Sequence, residues 1–274
     1  MPEYHRIKFG GAIVTTGFKD AERYEQLMGR RSRRLAPSLI RFGGLSEGDR
    51  VLDMGCGTGS LIFALPDFAN VASAAGLDLT DSYVAAARGR NTDPRFTFDV
   101  GDAGSLPYPD SSFDRAFSLL VLQFIPDSRQ AVEEMRRVVR PGGTIAAAVW
   151  DLYGGQPNAR IIWDIAGVLD PTLERPLFRP LNAPGEMEKL WLDVGLRDVE
   201  QASLLIRMEF QSFEDYWAPI AGGEGPQGQY FVGLTDEKRD ILREHVRRAY
   251  VANHPDGPRS MTAVAWACRG KVPD

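Results

Sequence analysis

A glycine-rich turn directly after an apolar run is the feature of this sequence best suited to hold a ligand. The segment VLDMGCGTGS, residues 51–60, has Gly55, Gly57 and Gly59 at alternate positions, with Asp53 two residues before the first of them. Glycines lack a Cβ atom, so the backbone can adopt positive φ and approach a ligand closely, and a following helix directs free N–H groups at that ligand. The segment therefore predicts a site for a nucleotide-like ligand. Its G-x-G-x-G spacing differs from the G-x-G-x-x-G of dinucleotide-binding folds, which use the same device.

The elements that must position this turn are alternating strands and helices. From Asp49 to Val149, short apolar runs alternate with helical patterns, which is typical of βαβ units and a parallel sheet. The pattern predicts strands near 50–54, 73–79, 96–101, 113–119 and 143–150, and helices near 58–65, 81–89 and 128–139. Asp127 or Ser128 can cap the last of these helices, and Pro141–Gly143 would stop it.

After Trp150 the pattern becomes less regular. Helices are expected near 158–168, after Gly185 and after Thr235. The two remaining strands are expected near 199–210 and 261–269. The helical sequence between these last two strands follows a glycine-rich stretch, which predicts an insertion rather than a continuation of the alternating pattern.

Several segments together resemble the class I S-adenosylmethionine-dependent methyltransferases. D-x-G-x-G-x-G, Asp53–Gly59, resembles motif I of that family, Gly76–Thr80 its second strand, and residues 101–114 the segment after its third strand. RAFSLLVLQFIPD, residues 115–127, resembles the fourth strand. RRVVRPGGTIAAAVWD, residues 136–151, is similar to the turn and fifth strand of the ubiquinone and menaquinone C-methyltransferase group, methyltransferase type 11. The sequence that follows departs from that group's pattern.

The resemblance implies a site for S-adenosylmethionine at the carboxyl ends of these strands. Asp78 would accept hydrogen bonds from both ribose hydroxyls, a task that suits a carboxylate. Asp102 would accept a hydrogen bond from the adenine amino group, and Ala103 would offer its backbone N–H. Asp53 would act through water near the amino end of the cofactor or orient the glycine turn. The other implied contacts are Gly55, Cys56, Gly57, Gly59, Leu79, Leu119 near the methionine portion, and Gln123 lining the pocket.

The resemblance also implies the fold and its organisation. The expected fold is α/β, a Rossmann-like, doubly wound sheet of seven mostly parallel strands with an antiparallel last strand. Residues 1–45 would form a helical arm that covers the cofactor, and residues 46–210 and 259–274 the methyltransferase core. Residues 211–258 would form a helical lid between the last two strands.

The arm contains an arginine-rich segment, MGRRSRRLAPSLIRF, residues 28–42. Apolar residues recur among the arginines at helical spacing, which indicates a helix with a solvated basic face. From the resemblance, Tyr24 would reach the cofactor carboxylate or lie near its sulfonium, and Arg30 or Arg31 would pair with the carboxylate. Core packing for Tyr24 and exposure to solvent for the arginines are the alternatives.

The implied activity is transfer of a methyl group from S-adenosylmethionine to a small organic acceptor by in-line displacement. A net charge of -5 would repel a polyanion, which argues against a nucleic-acid substrate. LLVLQF, residues 119–124, also stands where many nucleic-acid and protein methyltransferases have an NPPY-like tetrapeptide.

The alternatives to methyl transfer are a protein that binds S-adenosylmethionine without methyl transfer and an NAD-dependent oxidoreductase. The glycine spacing and the Asp102 segment count against the oxidoreductase.

Other features limit the function without naming the acceptor. No general base is identified, and Cys56 and Cys268 lie too far apart to suggest a metal site or a disulfide framework. The apolar stretch 116–126 is about half of the roughly 20 residues that span a bilayer. With no signal-like start, a cytoplasmic protein without a membrane partner is expected. The oligomeric state stays open. Four aromatic residues in the insertion either line an apolar pocket or pack internally: Tyr216, Trp217, Tyr230 and Phe231.

Overall fold

The computed structural model describes residues 7–9, 12–14, 25–173 and 180–274. Chain contacts divide the molecule into two compact units. The larger unit comprises Asp20–Asp151, Arg179–Leu205 and Val264–Asp274. The smaller unit comprises Met1–Lys19, Leu152–Phe178 and Ile206–Ala263.

The main element of the fold is a seven-stranded sheet. Its strands are β3 (Arg50–Met54), β4 (Ser73–Asp78), β5 (Phe96–Val100), β6 (Phe113–Leu119), β7 (Val139–Trp150), β8 (Arg197–Phe210) and β9 (Arg259–Lys271). Their spatial order is β5-β4-β3-β6-β7-β9-β8. Neighbours from β5 to β7 pair in parallel, whereas β9 pairs antiparallel with β7. The predicted mostly parallel sheet with an antiparallel last strand is thereby confirmed.

The centre of the sheet is buried on both faces. Val51–Met54 of β3 and Thr144–Trp150 of β7 are buried throughout. Strands covered on both faces have nearly continuous apolar sequences, which is why the sequence pattern located them. Strand order reverses between β3 and β6, and ligands of open α/β sheets bind at the carboxyl ends of strands beside such a switch point.

Helices connect these strands. They are α1 (Arg30–Gly43), α2 (Asp81–Arg90), α3 (Ser128–Val138), α4 (Pro157–Leu169), α5 (Glu186–Asp193), α6 (Phe213–Ala221), α7 (Gly225–Val232) and α8 (Asp236–Val251). Asp127 caps α3, because its carboxylate accepts a hydrogen bond from the Gln130 N–H at 2.9 Å. Thr235 caps α8 in the same way, accepting from the Lys238 N–H. The Asp127 cap and the start of α8 after Thr235 agree with the sequence prediction.

Two local predictions were wrong. The helix expected near 58–65 is instead a set of turns followed by a 3₁₀ helix, Ile62–Asp67. The positive φ angles of the glycine turn and the missing N–H of Pro66 both oppose a regular α-helix there. The segment Pro141–Gly143 does not stop α3, which already ends at Val138; it belongs to the first part of β7.

The smaller unit contains a short antiparallel ribbon and a helical group. The ribbon pairs β1 (Ile7–Phe9) with β2 (Ala12–Val14), which the helical interpretation of the arm did not include. In the helical group, Tyr216 donates a hydrogen bond from its hydroxyl to the Asn158 carbonyl at 2.6 Å. Ring contacts among α6, α7 and α8 form an aromatic core: Phe213 with Trp217 at 5.6 Å, Tyr216 with Tyr250 at 5.5 Å, and Trp217 with Phe231 at 5.0 Å. The alternative of internal packing is therefore the one observed for Tyr216, Trp217 and Phe231.

Candidate S-adenosylmethionine site

The glycine turn after β3 has the backbone that its sequence predicts. The φ angles of Gly55, Gly57 and Gly59 are 79°, 53° and 89°. A Cβ atom on Gly55 would lie 2.5 Å from the Val121 side chain, and one on Gly59 would lie 2.5 Å from the Phe63 ring. Glycine is thus required at both positions by conformation and by space.

The turn is tied to the neighbouring strand. The N–H groups of Gly55 and Cys56 both donate to the Leu77 carbonyl of β4, at 2.7 and 3.0 Å. Gly76 of β4 leaves room for the Cys56 side chain, since a Cβ there would lie 2.9 Å from the Cys56 Sγ. Burial raises the pKa of the Cys56 thiol, and nearby carboxylates raise it further. Cys56 is therefore a neutral packing residue of the turn.

Asp78 lies at the carboxyl end of β4 beside the turn. Its Oδ2 accepts a hydrogen bond from the Gly57 N–H and its Oδ1 one from the Thr80 N–H, both at 2.9 Å. Burial raises the pKa of Asp78, although these N–H groups favour the carboxylate and work against the increase. Each carboxylate oxygen keeps further acceptor capacity, so the group can still accept from a diol. The next residue, Leu79, has 49% of its surface exposed.

Asp53 is a carboxyl group in the centre of the sheet. It is 1% exposed, and within the described part of the chain its Oδ1 has no hydrogen-bond partner. Burial raises the pKa of Asp53 to about 8, and the negative charge of Asp78 contributes. We call the space beside it the Asp53 pocket, lined by Ser32, Asp53, Gly55, Cys56, Ser60, Leu61 and Leu119.

The segment after β5 places Asp102 in an exposed turn. Its Oδ1 accepts a hydrogen bond from the Gly104 N–H at 2.8 Å, and the Gly104 carbonyl accepts from Gln130 Nε2 of α3, also at 2.8 Å. Ala103 is half-buried and packs against the apolar core of the sheet. The turn is thus anchored on α3, with the Asp102 carboxylate at the surface.

The two candidates at the end of β6 and just after it have different surroundings. Leu119 is buried and lines the Asp53 pocket. Gln123 is also buried but is not among the lining residues; its Oε1 accepts from the Trp150 N–H at 3.2 Å and from Asn182 Nδ2 at 3.1 Å. Asn182 Nδ2 also donates to the Trp150 carbonyl at 2.7 Å. Gln123 therefore joins the end of β7 to the Asn182 loop.

The arm helix contributes a residue that the sequence analysis missed. Ser32 of α1 is buried and lines the Asp53 pocket, whereas the predicted contact Arg31 is half-buried and is not among the lining residues. Tyr24 lies outside the described residues. Ser32 precedes the buried Leu35 and Leu39 by three and seven positions, so it shares their face of the helix. Extending that helical periodicity backwards would have found it.

Neither a metal site nor a membrane span is found in the described residues. No group of three or more His, Cys, Asp or Glu side chains there could hold a metal ion. No helix in the same part of the chain is long and apolar enough to cross a bilayer.

Comparison with known proteins places these features in a family. Residues 52–147 match the family model described as a methyltransferase domain. Methyltransferase GfsG of Streptomyces halstedii is 31% identical over 197 residues, which are 70% of this chain and 70% of that protein. The 27-O-demethylrifamycin SV methyltransferase of Amycolatopsis mediterranei is 37% identical over 117 residues, 41% of this chain but only 43% of that protein.

A solved structure agrees on the fold. The phosphoethanolamine N-methyltransferase 2 of Haemonchus contortus, solved in complex with S-adenosyl-L-methionine, has a TM-score of 0.55 and 17% identity, with 96% of this chain and 62% of that chain covered. At this identity the likeness concerns the fold alone. The relative matched over 70% of both chains and the motif I turn beside Asp78 agree with this fold. The chain belongs to the class I S-adenosylmethionine-dependent methyltransferases.

Proposed function

We propose that the protein transfers a methyl group from S-adenosylmethionine to a small organic acceptor. The observation that supports this most directly is the meeting of the glycine turn, Asp78 and the Asp53 pocket at the carboxyl ends of adjacent strands. The residues fit the cofactor: Asp78 retains acceptor capacity for the ribose diol, and the buried Asp53 Oδ1, without a partner among the described residues, can accept a further hydrogen bond. We assign the adenine to Asp102 and Ala103, and an apolar wall near the methionine portion to Leu119.

When bound, the cofactor supplies a methyl group on a positively charged sulfur. The protein's contribution is to hold that group in line with the acceptor and to exclude water, which can lower a barrier by as much as about 7–11 kcal/mol when the geometry is right. The glycine turn and Asp78 fix the nucleoside end, while Ser32 and Leu119 close the pocket beside the turn. We assign no general base to the described residues.

We further propose an oxygen atom of an alcohol or phenol as the acceptor. The relative from Amycolatopsis mediterranei is named for a 27-O-demethyl substrate, and this chain is 37% identical to it over 117 residues. Nitrogen and carbon acceptors would be the competing outcomes of an assay. Labelled-methyl transfer to matched phenols, amines and carbon acids distinguishes the three.

The cofactor proposal predicts a specific loss in the Asp78→Ala variant. Wild-type protein should gain about 2.7 kcal/mol of stability from S-adenosylhomocysteine at 100 times its dissociation constant, seen as a rise in Tm. Asp78→Ala should lose this rise, because the ribose hydroxyls and the Gly57 N–H lose their acceptor. Asp193→Ala, which removes an exposed carboxylate paired with Lys189, should keep it. An unchanged rise in Asp78→Ala would refute the ribose assignment, and stabilisation by NAD instead of S-adenosylhomocysteine would refute the cofactor.

Binding without methyl transfer is the competing function. It would give the same stabilisation by S-adenosylhomocysteine but no labelled product with any acceptor of the panel. The cytoplasmic location, the absence of nucleic-acid and membrane partners, and the role of residues 211–258 as a lid all stay predictions of the sequence.

A further inference from the structure

A set of polar contacts connects the start of the arm helix to the glycine turn. The Glu25 carboxylate, in a single π-helical turn that precedes α1, accepts hydrogen bonds from the Thr58 hydroxyl and from Arg33. It also accepts from Arg90 Nη1 at 3.3 Å, at the end of α2. The same Arg90 nitrogen donates to the Thr58 carbonyl at 3.3 Å, and the guanidinium lies 5.1 Å from the centre of the Phe63 ring. We call Glu25, Thr58, Arg33 and Arg90 the Glu25 cluster.

The cluster is suited to hold two elements together. Thr58 is 1% exposed and belongs to the glycine turn, so its hydroxyl needs a partner within the protein. Burial acts to raise the pKa of Glu25, but hydrogen bonds from Thr58 and Arg33 and the charges of both arginines lower it overall. The carboxylate is therefore ionised at neutral pH, and the hydrogen bond from Thr58 is charge-assisted. The arginine side chains are 44% exposed, so their ion pairs contribute less than that hydrogen bond.

The lack of a side chain at Gly29 is consistent with this arrangement. A Cβ atom on Gly29 would lie 2.6 Å from a carboxylate oxygen of Glu25. Glycine at this position leaves room for the Glu25 carboxylate beside the glycine turn. A Gly29→Ala substitution would displace the carboxylate while leaving every charge in place.

We infer that Glu25 is a positioning residue that fastens the arm helix to the glycine turn. Helix α1 begins five residues after Glu25 and places Ser32 in the Asp53 pocket, while the turn places Gly55 and Cys56 there. Glu25 thus keeps the two segments that line this pocket, α1 and the glycine turn, in a fixed relative position. The inference rests on the proposed function, because it assigns a cofactor-retaining role to this contact. Cofactor release then requires the Glu25 cluster to open.

The test is the rate of S-adenosylhomocysteine release, followed by tryptophan fluorescence after mixing with excess S-adenosylmethionine. Glu25→Gln and Gly29→Ala should each release the ligand about tenfold faster than wild type, as expected when a hydrogen bond to a charged group is weakened. Added salt should accelerate release from wild type, and this effect should shrink in Glu25→Gln because the ion pairs are gone. Glu47→Gln, which removes an exposed carboxylate that accepts from the Asn70 N–H, should behave like wild type.

A second measurement needs no ligand. In hydrogen exchange on the free protein, Glu25→Gln should increase exchange at amides of the arm helix start and of Gly57–Gly59, with α3 unchanged. Unchanged exchange in these segments, or release at the wild-type rate, would overturn the role of Glu25 even if S-adenosylhomocysteine binds normally. Failure of wild type to bind S-adenosylhomocysteine would instead refute the proposed function, and the exchange result would still decide whether Glu25 connects the two elements.

Discussion

The carboxyl group of Asp53 has an unusual position for an ionisable residue. It lies in the central strand β3, paired in register with Gly76 and Phe117, and burial together with the charge of Asp78 raises its pKa to about 8. An acid whose pKa is higher in the folded than in the unfolded state binds its proton more tightly when folded. The stability that the folded protein gains from this tighter proton binding at Asp53 is therefore fully present below the unfolded pKa of about 3.9. It is lost as pH rises towards 8.

This linkage predicts how Asp53→Asn changes stability with pH. The neutral amide has no charge to bury, so Tm of the variant relative to wild type should increase steadily between pH 5 and pH 8. Differential scanning calorimetry across this range, without cofactor, measures the difference. Asp193→Asn, at an exposed helix position, should show no such trend. A difference for Asp53→Asn that is constant with pH would mean that the carboxyl titrates at an ordinary pKa.

The type of residue alone was enough to find some positions of the candidate site in the sequence, but not others. The positive φ of Gly55 and Gly59 was predictable because it favours glycine, and Asp78 stays a predicted ribose contact because a carboxylate can accept from a diol. Ser32 and Glu25 were not identifiable, because a serine or glutamate on a helix has many ordinary roles. Glu25 contacts the turn at Thr58, and Ser32 lines the same pocket as Gly55 and Cys56; both are distant in sequence from the turn.

At the scale of elements, the glycine turn requires glycine at residue 55 for two reasons, its positive φ angle and the lack of space for a Cβ atom. Substitutions can separate these two effects. Gly55 and Gly48 have nearly equal φ angles of 79° and 77°. A Cβ on Gly55 would overlap Val121, whereas one on Gly48 would meet nothing within 4 Å. Alanine at Gly48 therefore experiences only backbone strain, and alanine at Gly55 experiences strain and overlap.

Gly48→Ala should lose about 1–2 kcal/mol of unfolding free energy from backbone strain alone. Gly55→Ala should lose about 1–3 kcal/mol more from overpacking against Val121, and it should also lose measurable S-adenosylhomocysteine binding. Urea denaturation and calorimetric titration measure the two effects. Equal losses in the two variants would show that Val121 moves aside freely. Normal binding by Gly55→Ala would place the ligand away from the turn.

Elements were predictable where one signal dominated. Strands β3 and β7 are apolar throughout their buried parts, and α3 has an apolar face and a capping Asp127. The apolar residues after the glycine turn favour a helix, but this segment forms a 3₁₀ helix that contains Pro66 and not the predicted α-helix. The β1–β2 ribbon consists of two three-residue strands, too short to produce a periodic signal.

At the scale of the whole molecule, the cofactor was easier to predict than the acceptor. The methyltransferase-domain match covers residues 52–147, which include the glycine turn, Asp78 and Asp102. The stretches Leu152–Phe178 and Ile206–Ala263 lie outside that match and form most of the smaller unit. In the second of these stretches Phe213, Tyr216, Trp217, Phe231 and Tyr250 pack on one another, so these aromatic residues indicate a core and not a substrate site.

The overall charge of the molecule argues against a nucleic acid as the acceptor. A net charge of -5 opposes association with a polyanion, and the arginine-rich segment of α1 is the local exception. Arg33 of this segment pairs with Glu25, and Arg41 lies 4.9 Å from the Phe68 ring centre. We therefore expect no binding to a labelled DNA duplex or transfer RNA by fluorescence anisotropy at physiological salt, even at about 100 µM protein. Non-specific binders have dissociation constants of about 10⁻⁴–10⁻⁶ M under these conditions. Micromolar binding that weakens with salt and disappears in an Arg30→Ala, Arg34→Ala double variant would identify α1 as a nucleic-acid contact and contradict the small-molecule proposal.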